Sequence, residues 1–253
     1  IGYIPLFKLI LLFLLDKSTN LDYNNLMIYD RFQQEAIDYI NQGYSVIVSA
    51  PTGAGKTAIA EHVLSTSIQN KVGVVYTAPI KALSNQKFRD FEKQFGEHIG
   101  ILTGDVSLNP SAPVLIMTTE IFRNKILDEP DSLKKYSWVI FDEVHYIDNP
   151  QRGTVWEESL IFLPAHMNVL ALSATIPNIN ELAEWIQSVH NKPVKTVIEE
   201  KRPVPLHFFF QCQNEIVDNI NSLKRLRGGR ANKMAALINY IRQKEGLACI
   251  YFV

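Results

Sequence analysis

Two short stretches of this chain carry residue types that could bind and cleave a phosphate chain. The first, SAPTGAGKTAIAE from Ser49 to Glu61, follows an apolar strand pattern and opens a helix pattern. Glycines in such a loop let backbone N–H groups point at phosphate oxygens, and the helix amino terminus adds partial positive charge. The second stretch, DEVH from Asp142 to His145, follows an apolar run and supplies adjacent carboxylates. Together they predict a nucleoside triphosphate site.

Each polar residue of the phosphate-binding loop has an expected role. Lys56 would reach the β- and γ-phosphates, and the Thr57 hydroxyl would bind Mg²⁺. The loop departs from the general pattern once, since Ala50 stands where the first glycine is expected. We expect the nucleotide to contact Thr52, Gly53, Ala54, Gly55, Lys56, Thr57 and Ala58.

The two acids have different expected roles. An enzyme with this loop needs one acid, on a neighbouring strand, for Mg²⁺, and a second group that orients the attacking water. Asp142 suits the metal and Glu143 the water, because adjacent side chains leave a strand end in different directions. His145 either couples the nucleotide to other motifs or is a structural histidine. The predicted ligands are a nucleoside triphosphate and Mg²⁺, and the predicted catalytic residues are Lys56, Asp142, Glu143 and His145.

The elements that must position these residues alternate between strands and helices. Short apolar runs predict strands at 45–49, 72–77, 99–102, 114–118, 137–141, 167–173 and 194–198. Helical patterns fill the gaps at about 33–42, 56–69, 80–95, 119–127, 154–163 and 178–187. This alternation is typical of an α/β fold with a mainly parallel sheet flanked by helices.

The two ends of the chain differ from this central pattern. We predict an amino-terminal extension of unclear role over 1–26, whose apolar stretch 4–15 is too short to span a bilayer, so no membrane partner is expected. Two prolines between Lys201 and Pro205 precede the strand pattern LHFFF. Seven basic residues and no acid follow between 219 and 244, which is typical of a linker or a solvated charged face. A helix near 233–243 and a strand ACIYFV complete the prediction.

Composition limits the classes of partner and compartment. With 253 residues, 47% of them hydrophobic, the chain can bury a sizeable core. The formal charge of −1 means that a nucleic acid would have to be held by a local basic surface. Cys212 and Cys249 are too few for a disulfide framework or a metal site. We therefore expect a monomer in a reducing compartment, the cytoplasm.

Six motifs follow one another from Phe32 to Thr175: FQQEAI, TAPIKALSNQKFRDF, LTGDV, MTTEIFRN, DEVH and SAT. Their wording and order resemble the DExH-box helicases of superfamily two. The stretches DNPQRGTVWEESLIFLP and KRPVPLHFFF resemble the Ski-like RNA helicases within that group. The resemblance covers about residues 27 to 253.

The resemblance implies a fold and a set of contacts. It implies a RecA-like domain over 27–202, and a linker with the start of a second RecA-like domain over 203–253. Gln33 would read the adenine edge, with Tyr29 the nearest aromatic candidate to lie over the base. Single-stranded nucleic acid would cross the top of the sheet at Pro79, Lys81, Gly104, Asp105, Thr118, Thr119 and Arg123. The SAT motif, Ser173, Ala174 and Thr175, would couple the nucleotide to that strand.

The expected function is that of an ATP-dependent nucleic-acid helicase, an ATP hydrolase for which RNA is favoured over DNA. The arginines that the family's second domain supplies are not matched here, so we expect this chain alone to bind ATP and Mg²⁺ but to hydrolyse ATP weakly. Two alternatives are a DNA translocase or repair helicase of superfamily two, and a nucleotide-dependent binding module without motor activity.

Overall fold

The computed structural model describes residues 29–205 and the backbone of 210–212 and 215–217. The chain divides into two compact units, Ile1–Lys201 and Arg202–Val253. The predictions made for 1–26, for the basic stretch 219–244, for the helix near 233–243, for the strand ACIYFV and for Cys249 lie outside the described residues.

Within residues 29–201, six α-helices alternate with eight strands. The strands are β1 (Ser45–Ser49), β2 (Gly73–Ala78), β3 (Ile99–Leu102), β4 (Ser107–Leu108), β5 (Val114–Thr118), β6 (Tyr136–Phe141), β7 (Asn168–Ser173) and β8 (Val194–Ile198). The helices are α1 (Arg31–Asn41), α2 (Lys56–Gln69), α3 (Lys81–Phe95), α4 (Thr119–Asp128), α5 (Gly153–Ile161) and α6 (Ile179–His190). Short 3₁₀ turns lie at Gly96–His98, Pro130–Leu133 and Val144–Asp148.

All eight strands form one sheet in the order β4-β3-β5-β2-β6-β7-β1-β8. Every pair is parallel except β3 with the two-residue strand β4. The carboxyl ends of the parallel strands therefore share one edge, which is where open α/β sheets bind ligands.

Side chains alternate between two cores, one on each face of the sheet. Val46 and Val48 of β1 pack on one face with α1, α2 and α3, whereas Ile47 packs on the other with α4, α5 and α6. Because both faces are covered, the central strands are apolar at nearly every position, as parallel strands usually are. This explains why continuous apolar runs identified the strands correctly.

The observed element boundaries differ from the predicted ones by a few residues. Helix α1 begins earlier, at Arg31, because the backbone N–H of Asp30 donates to the Gln33 side chain at 2.8 Å and fixes the first turn. Helix α6 runs on to His190, whose ring lies 2.8 Å from the carbonyl oxygen of Met167 and joins the helix end to the start of β7. Strand β4 was not predicted, since two exposed residues leave no apolar pattern.

One sequence prediction about topology is wrong. The acid at Asp142 was expected on a strand next to the one that precedes the phosphate loop, but β7 lies between β6 and β1. The sequence shows which segments are strands but not their lateral order, which depends on how the connecting helices cross the sheet.

The second unit contributes a described antiparallel hairpin. Strand β9 (Phe210–Cys212) pairs with β10 (Glu215–Val217), with Cys212 opposite Glu215. The predicted strand LHFFF overlaps β9 at Phe210, and its other residues lie outside the described part.

Candidate nucleotide and nucleic-acid site

The shared edge of the sheet brings together motifs that are far apart in the sequence. The phosphate loop follows β1, the SAT motif ends β7 and the DEVH motif follows β6, and these three strands are consecutive in the sheet. On the other side of β6, the next strands β2, β5 and β3 lead into the residues predicted to bind nucleic acid. We call these two parts of the edge the nucleotide half and the nucleic-acid half, after the ligands that the sequence predicts for them.

The phosphate loop has the backbone geometry that its glycines permit. Gly53 and Gly55 have φ values of +85° and +88°, in the left-handed region that favours glycine. Gly55 caps α2, so the free N–H groups of the first turn of the helix lie next to the loop. A Cβ on Gly55 would lie 2.6 Å from Nε2 of Gln33, so a larger residue would not fit there.

Lys56 is folded back onto its own loop. Its Nζ donates to the carbonyl oxygens of Ala50 at 2.7 Å and Pro51 at 3.2 Å. Burial lowers the pKa of Lys56, and the carboxylates of Glu143 and Asp142 oppose that shift. A cation held only by carbonyl oxygens is available to a stronger anionic partner, which suits a residue that binds phosphates.

Gln33 connects α1 to the phosphate loop. Its Nε2 donates to the Gly55 carbonyl at 3.0 Å, and its Oε1 accepts from the Asp30 backbone at 2.8 Å. A side-chain amide has two donor hydrogens and two acceptor lone pairs, so one of each remains for a base edge. Tyr29 packs against the core beside Gln33's helix, its ring 6.3 Å from that of His62.

Asp142 is nearly buried and well ordered by hydrogen bonds. Its Oδ2 accepts from the Tyr76 hydroxyl at 2.5 Å, and its Oδ1 accepts from the Glu143 backbone at 3.1 Å. Its own N–H extends the sheet by donating to Thr77 at 3.0 Å. Burial and the neighbouring Asp142 carboxylate raise the pKa of Tyr76 well above its usual value, so the hydroxyl keeps its proton and donates.

The chain turns sharply at Glu143, where φ is +54°, a strained value for a residue with a side chain. The strand has ended before this residue. The alternation of side chains along a strand, which the sequence analysis used to separate Asp142 from Glu143, therefore does not set the direction of the Glu143 side chain. Its Oε2 lies 3.4 Å from Nδ1 of His145. The ring of His145 is next to Tyr146, which stacks on Trp156 of α5 at 5.9 Å. The turn at the DEVH motif thus packs against α5.

An ammonium group lies between the two predicted metal ligands. Lys87 of α3 places Nζ 3.0 Å from the Thr57 hydroxyl and 3.9 Å from Oδ2 of Asp142. Thr57 and Asp142 come from α2 and the end of β6, so the fold brings both oxygens to one cation. This arrangement fits a divalent cation, which would contact the same two oxygens.

The donor set around this position suits magnesium in particular. Within residues 29–205, no group of three or more His, Cys, Asp or Glu side chains is arranged to hold a metal by itself. Mg²⁺ is commonly bound by one or two protein oxygens together with waters and substrate phosphates. One carboxylate and one hydroxyl beside a phosphate loop match that requirement.

The SAT motif is joined to the phosphate-loop strand. The Ser49 hydroxyl accepts from the backbone of Ile176 at 3.2 Å and donates to Ala174 at 3.4 Å, and Ala50 donates to the Ser173 carbonyl at 3.2 Å. The Ser173 hydroxyl is buried and has no hydrogen-bond partner among the described residues. Movement of the loop would therefore reach the SAT motif through short backbone contacts.

The predicted nucleic-acid residues lie at the ends of β2, β5 and β3, but their side chains differ in exposure. Lys81 pairs with Asp105 at 2.7 Å, and both side chains are at least half exposed. Thr118 accepts from the Ile121 backbone at 3.5 Å and so caps α4. Thr119 is fully buried and donates to the Ala78 carbonyl at 3.4 Å, so its side chain does not face solvent.

Three further members of the predicted nucleic-acid set complete this half of the edge. Gly104 has open space around it, since a Cβ there would meet nothing within 4 Å. Pro79 is buried just after β2. Arg123 of α4 pairs with Glu158 of α5 at 3.4 Å, and its Nε has no hydrogen-bond partner among the described residues.

A separate cleft of about 280 Å³ opens beside His145. Its walls include Asp148, Glu157 and Glu181, together with Leu182 and Trp185. Three carboxylates would repel a triphosphate, whereas the loop after β1 offers N–H groups and Lys56. The nucleotide is therefore better placed at the loop than in this cleft.

Sequence reasoning missed Tyr76 and Lys87 as site residues. Tyr76 reads as one more apolar position of β2, and Lys87 as a surface charge on a helix. A tyrosine near the carboxyl end of a buried strand is a signal that could have been used, because a buried hydroxyl needs a partner. The partner itself, on another strand, is visible only in the fold.

Comparison with known proteins agrees with this geometry. The sequence pattern of the DEAD/DEAH box helicase family matches residues 30–182. The antiviral helicase SKI2 of Saccharomyces cerevisiae is 44% identical over 211 residues, which is 83% of this chain and 16% of the yeast protein. Superkiller complex protein 2 of Mus musculus is 50% identical over 182 residues, 72% of this chain and 14% of the mouse protein.

A further relative and a solved structure complete the comparison. Exosome RNA helicase MTR4 of Homo sapiens is 46% identical over 184 residues, 72% of this chain and 18% of the human protein. This chain thus spans less than a fifth of the length of each of these relatives. The crystal structure of the DUF1998 helicase MrfA bound to DNA superposes with a TM-score of 0.58 at 20% identity, covering 71% of this chain and 28% of that one. That likeness concerns the RecA-like fold alone, while the sequence matches establish that this chain belongs to the DEAD/DEAH box helicase family, in its Ski-like branch.

Proposed function

We propose that this chain carries the ATP- and Mg²⁺-binding part of an ATP-dependent RNA helicase. The observation that carries the proposal is that the Thr57 hydroxyl and the Asp142 carboxylate lie on either side of the Lys87 ammonium group, next to the phosphate loop. A phosphate cradle and a metal position that share one edge of the sheet are the parts that phosphoryl transfer requires.

The proposed roles follow from where each side chain lies. Lys56 turns from its own loop carbonyls to the β- and γ-phosphates, and Thr57 and Asp142 hold Mg²⁺. Bound there, Mg²⁺ neutralises charge that develops on the phosphate oxygens. Glu143 orients the attacking water and accepts its proton. Nδ1 of His145 lies 3.4 Å from the Glu143 carboxylate without a hydrogen bond, close enough to pair with it after a small movement. Gln33 offers its remaining donor and acceptor to the adenine.

The nucleic-acid half of the edge is proposed to hold a single strand through its phosphates. Lys81 and Arg123 supply charge, and Thr118 and the open backbone at Gly104 supply donors. Thr119 is buried, so any contribution from it comes through its backbone N–H. Pro79 is also buried and has no backbone N–H, so it offers no donor to a phosphate. The acids paired with the two cations, Asp105 and Glu158, would be exchanged for phosphates on binding.

RNA is the proposed strand because MTR4, a relative at 46% identity, is named as an RNA helicase. The remaining parts of the proposal concern the whole protein. Residues 27–202 form the first RecA-like domain, 203–253 a linker with the start of a second, and 1–26 an extension. The two cysteines favour a reducing compartment, the cytoplasm, and we propose a monomer.

The assignment is tested by Lys56→Ala in the full-length protein. We expect RNA-stimulated ATP hydrolysis to be lost, because the substitution removes the cation that is proposed to bind the phosphates. Lys93→Ala, an exposed lysine in the last turn of α3, serves as the matched control and should hydrolyse ATP like the wild type. Unchanged turnover in Lys56→Ala would remove the assignment.

The same assay with matched RNA and DNA single strands tests the choice of nucleic acid. We expect RNA to stimulate hydrolysis more strongly than DNA of the same sequence and length. Stronger stimulation by DNA would instead favour a DNA translocase, and no stimulation by either strand would favour a nucleotide-dependent binding module.

A further inference from the structure

Lys87 of α3 points into the proposed metal site instead of into solvent. Most lysines of a surface helix extend into water, but the Lys87 side chain is only 18% exposed. Its Nζ lies 3.0 Å from Oγ1 of Thr57 and 3.9 Å from Oδ2 of Asp142. These are the two oxygens proposed above to bind Mg²⁺.

The surroundings of Lys87 hold its ammonium group in place. Nζ lies 5.9 Å from the ring centroids of both Tyr76 and Phe91, within the range of a cation–π attraction. The Tyr76 hydroxyl donates to the same Asp142 oxygen that Lys87 faces. Among the described residues, Lys87 is the one lysine or arginine within ion-pair distance of Asp142. The carboxylate charge is therefore balanced by Lys87 when no metal is bound.

An ammonium group and a divalent cation cannot share this position. At separations of about 4 Å, a single and a double positive charge repel each other strongly even with partial screening. A metal that contacts both Thr57 and Asp142 must therefore move the Lys87 ammonium away.

We propose that Lys87 is a positioning residue that takes the place of the divalent cation at Thr57 and Asp142 until the nucleotide arrives with its metal. The inference rests on the proposed function, because it requires these two residues to be metal ligands. Its consequence is that the nucleotide-free protein has little affinity for free divalent cations. Metal and nucleotide then enter together, since the added phosphate oxygens outweigh the loss of the lysine contacts.

A second acid is available to the displaced ammonium. Glu61 lies one helical turn beyond Thr57, on the same side of α2. Burial raises the pKa of the Glu61 carboxyl, and the positive charge of Lys87 opposes that shift, so the two groups attract each other. Lys87 can thus remain paired after it leaves Asp142, and its displacement does not bury an isolated charge.

The proposal is tested with Mn²⁺ as the probe, measured by electron paramagnetic resonance on the full chain without nucleotide. Lys87→Met keeps a flexible apolar stem against the aromatic rings but removes the charge. We expect Lys87→Met to bind Mn²⁺ at least about tenfold more tightly than the wild type, because the competing cation is gone. Lys87→Arg, which keeps the charge, and Lys93→Met, which removes an exposed charge from the same helix, should bind Mn²⁺ as weakly as the wild type.

The direction of the change separates this role from a structural one. If Lys87 merely supported the local structure, its removal would leave Mn²⁺ affinity unchanged or lower it, and either result would overturn the proposal. Asp142→Asn added to Lys87→Met should abolish the gained binding; retained binding would place the metal elsewhere and also overturn it. If Lys87→Met does not fold, as judged by circular dichroism, Lys87→Gln carries the same expectation.

A second arm keeps the proposed function separately testable. The wild type should bind Mn²⁺ tightly when a non-hydrolysable ATP analogue is present. Weak Mn²⁺ binding in the presence of the analogue would contradict the proposed nucleotide site itself. Tight Mn²⁺ binding with the analogue, together with equal Mn²⁺ affinities of wild type and Lys87→Met without nucleotide, would contradict only the proposed role of Lys87.

Discussion

Asp142 receives a hydrogen bond on each carboxylate oxygen before any ligand is bound. Tyr76 donates to one oxygen and the Glu143 backbone to the other, so the carboxylate has a fixed orientation in the sheet edge. Hydrogen-bond partners that orient a metal ligand are commonly nearly as important for metal binding as the ligand itself. At the residue scale, the orientation of Asp142 therefore depends on a buried tyrosine.

This dependence can be measured with Tyr76→Phe. The change removes a buried hydrogen bond to a charged group, so we expect a loss of about 1.5–3 kcal/mol in the free energy of unfolding. We also expect the Mg²⁺ concentration needed for half-maximal ATPase in the full-length protein to rise about tenfold or more. Urea denaturation and a Mg²⁺ titration provide the two measurements.

Tyr136→Phe is the matched control, because Tyr136 is also buried in a strand but lies at the start of β6, away from the site. Burial raises the pKa of Tyr136 to about 12, so its hydroxyl, too, is protonated at neutral pH. The control should leave the Mg²⁺ requirement unchanged. An unchanged requirement in Tyr76→Phe as well would contradict the positioning role.

At the element scale, the turn that follows Asp142 is held by α5. Gly153, the first residue of that helix, donates to the Asn149 carbonyl at 2.8 Å. A Cβ on Gly153 would lie 2.1 Å from the Ile147 carbonyl oxygen, and backbone at that distance cannot yield without moving the turn. The approach of helix and turn is therefore as close as a glycine allows.

Gly153→Ala should accordingly destabilise the fold. We expect the free energy of unfolding to fall by about 1–3 kcal/mol, the usual cost of forcing extra atoms into a packed region. Urea denaturation measures the change. Gly104→Ala provides the comparison, since a Cβ there meets nothing within 4 Å and stability should stay close to that of the wild type. Equal stability of the two variants would show that the turn can adjust.

At the scale of the whole molecule, the charges nearly cancel. The formal net charge is −1, so a nucleic acid gains no attraction from the overall field. Binding must come from local cations such as Lys81, which is half exposed and pairs with Asp105. The hydrogen bond from Lys81, together with one from Thr103, lowers the pKa of Asp105, so this carboxyl group is ionised near neutral pH. Within residues 29–205, no helix has both the length and the apolar composition needed to cross a membrane.

The salt dependence of RNA binding tests this local origin. If Lys81 contacts one phosphate, Lys81→Gln should reduce the slope of log affinity against log salt by about 0.7, the value for one contact on a single strand. Affinity should fall similarly for RNAs of different sequence, because phosphate contacts do not read bases. Fluorescence anisotropy at several salt concentrations gives the slope, and Lys93→Gln should leave it unchanged. A slope that stays the same in Lys81→Gln would remove this residue from the interface.

The sequence by itself determined the elements and the chemistry of the motifs. Parallel strands buried on both faces leave continuous apolar runs, and glycines that must adopt positive φ leave a fixed spacing, so the strands around the site and the loop from Ser49 could be identified without coordinates. The family followed from the order of the motifs. These signals are local, because each depends on residues that are close together along the chain.

The tertiary structure decided which elements are neighbours. Only the fold inserts β7 between β1 and β6, turns the chain at Glu143 and buries Thr119 beneath the predicted nucleic-acid surface. It also brings Lys87 and Tyr76 to Asp142, although Tyr76 belongs to none of the motifs and the motif that contains Lys87 does not indicate a contact with Asp142. The physical reason is that lateral strand order and helix crossing set distances between residues far apart in sequence, and no local pattern encodes those distances.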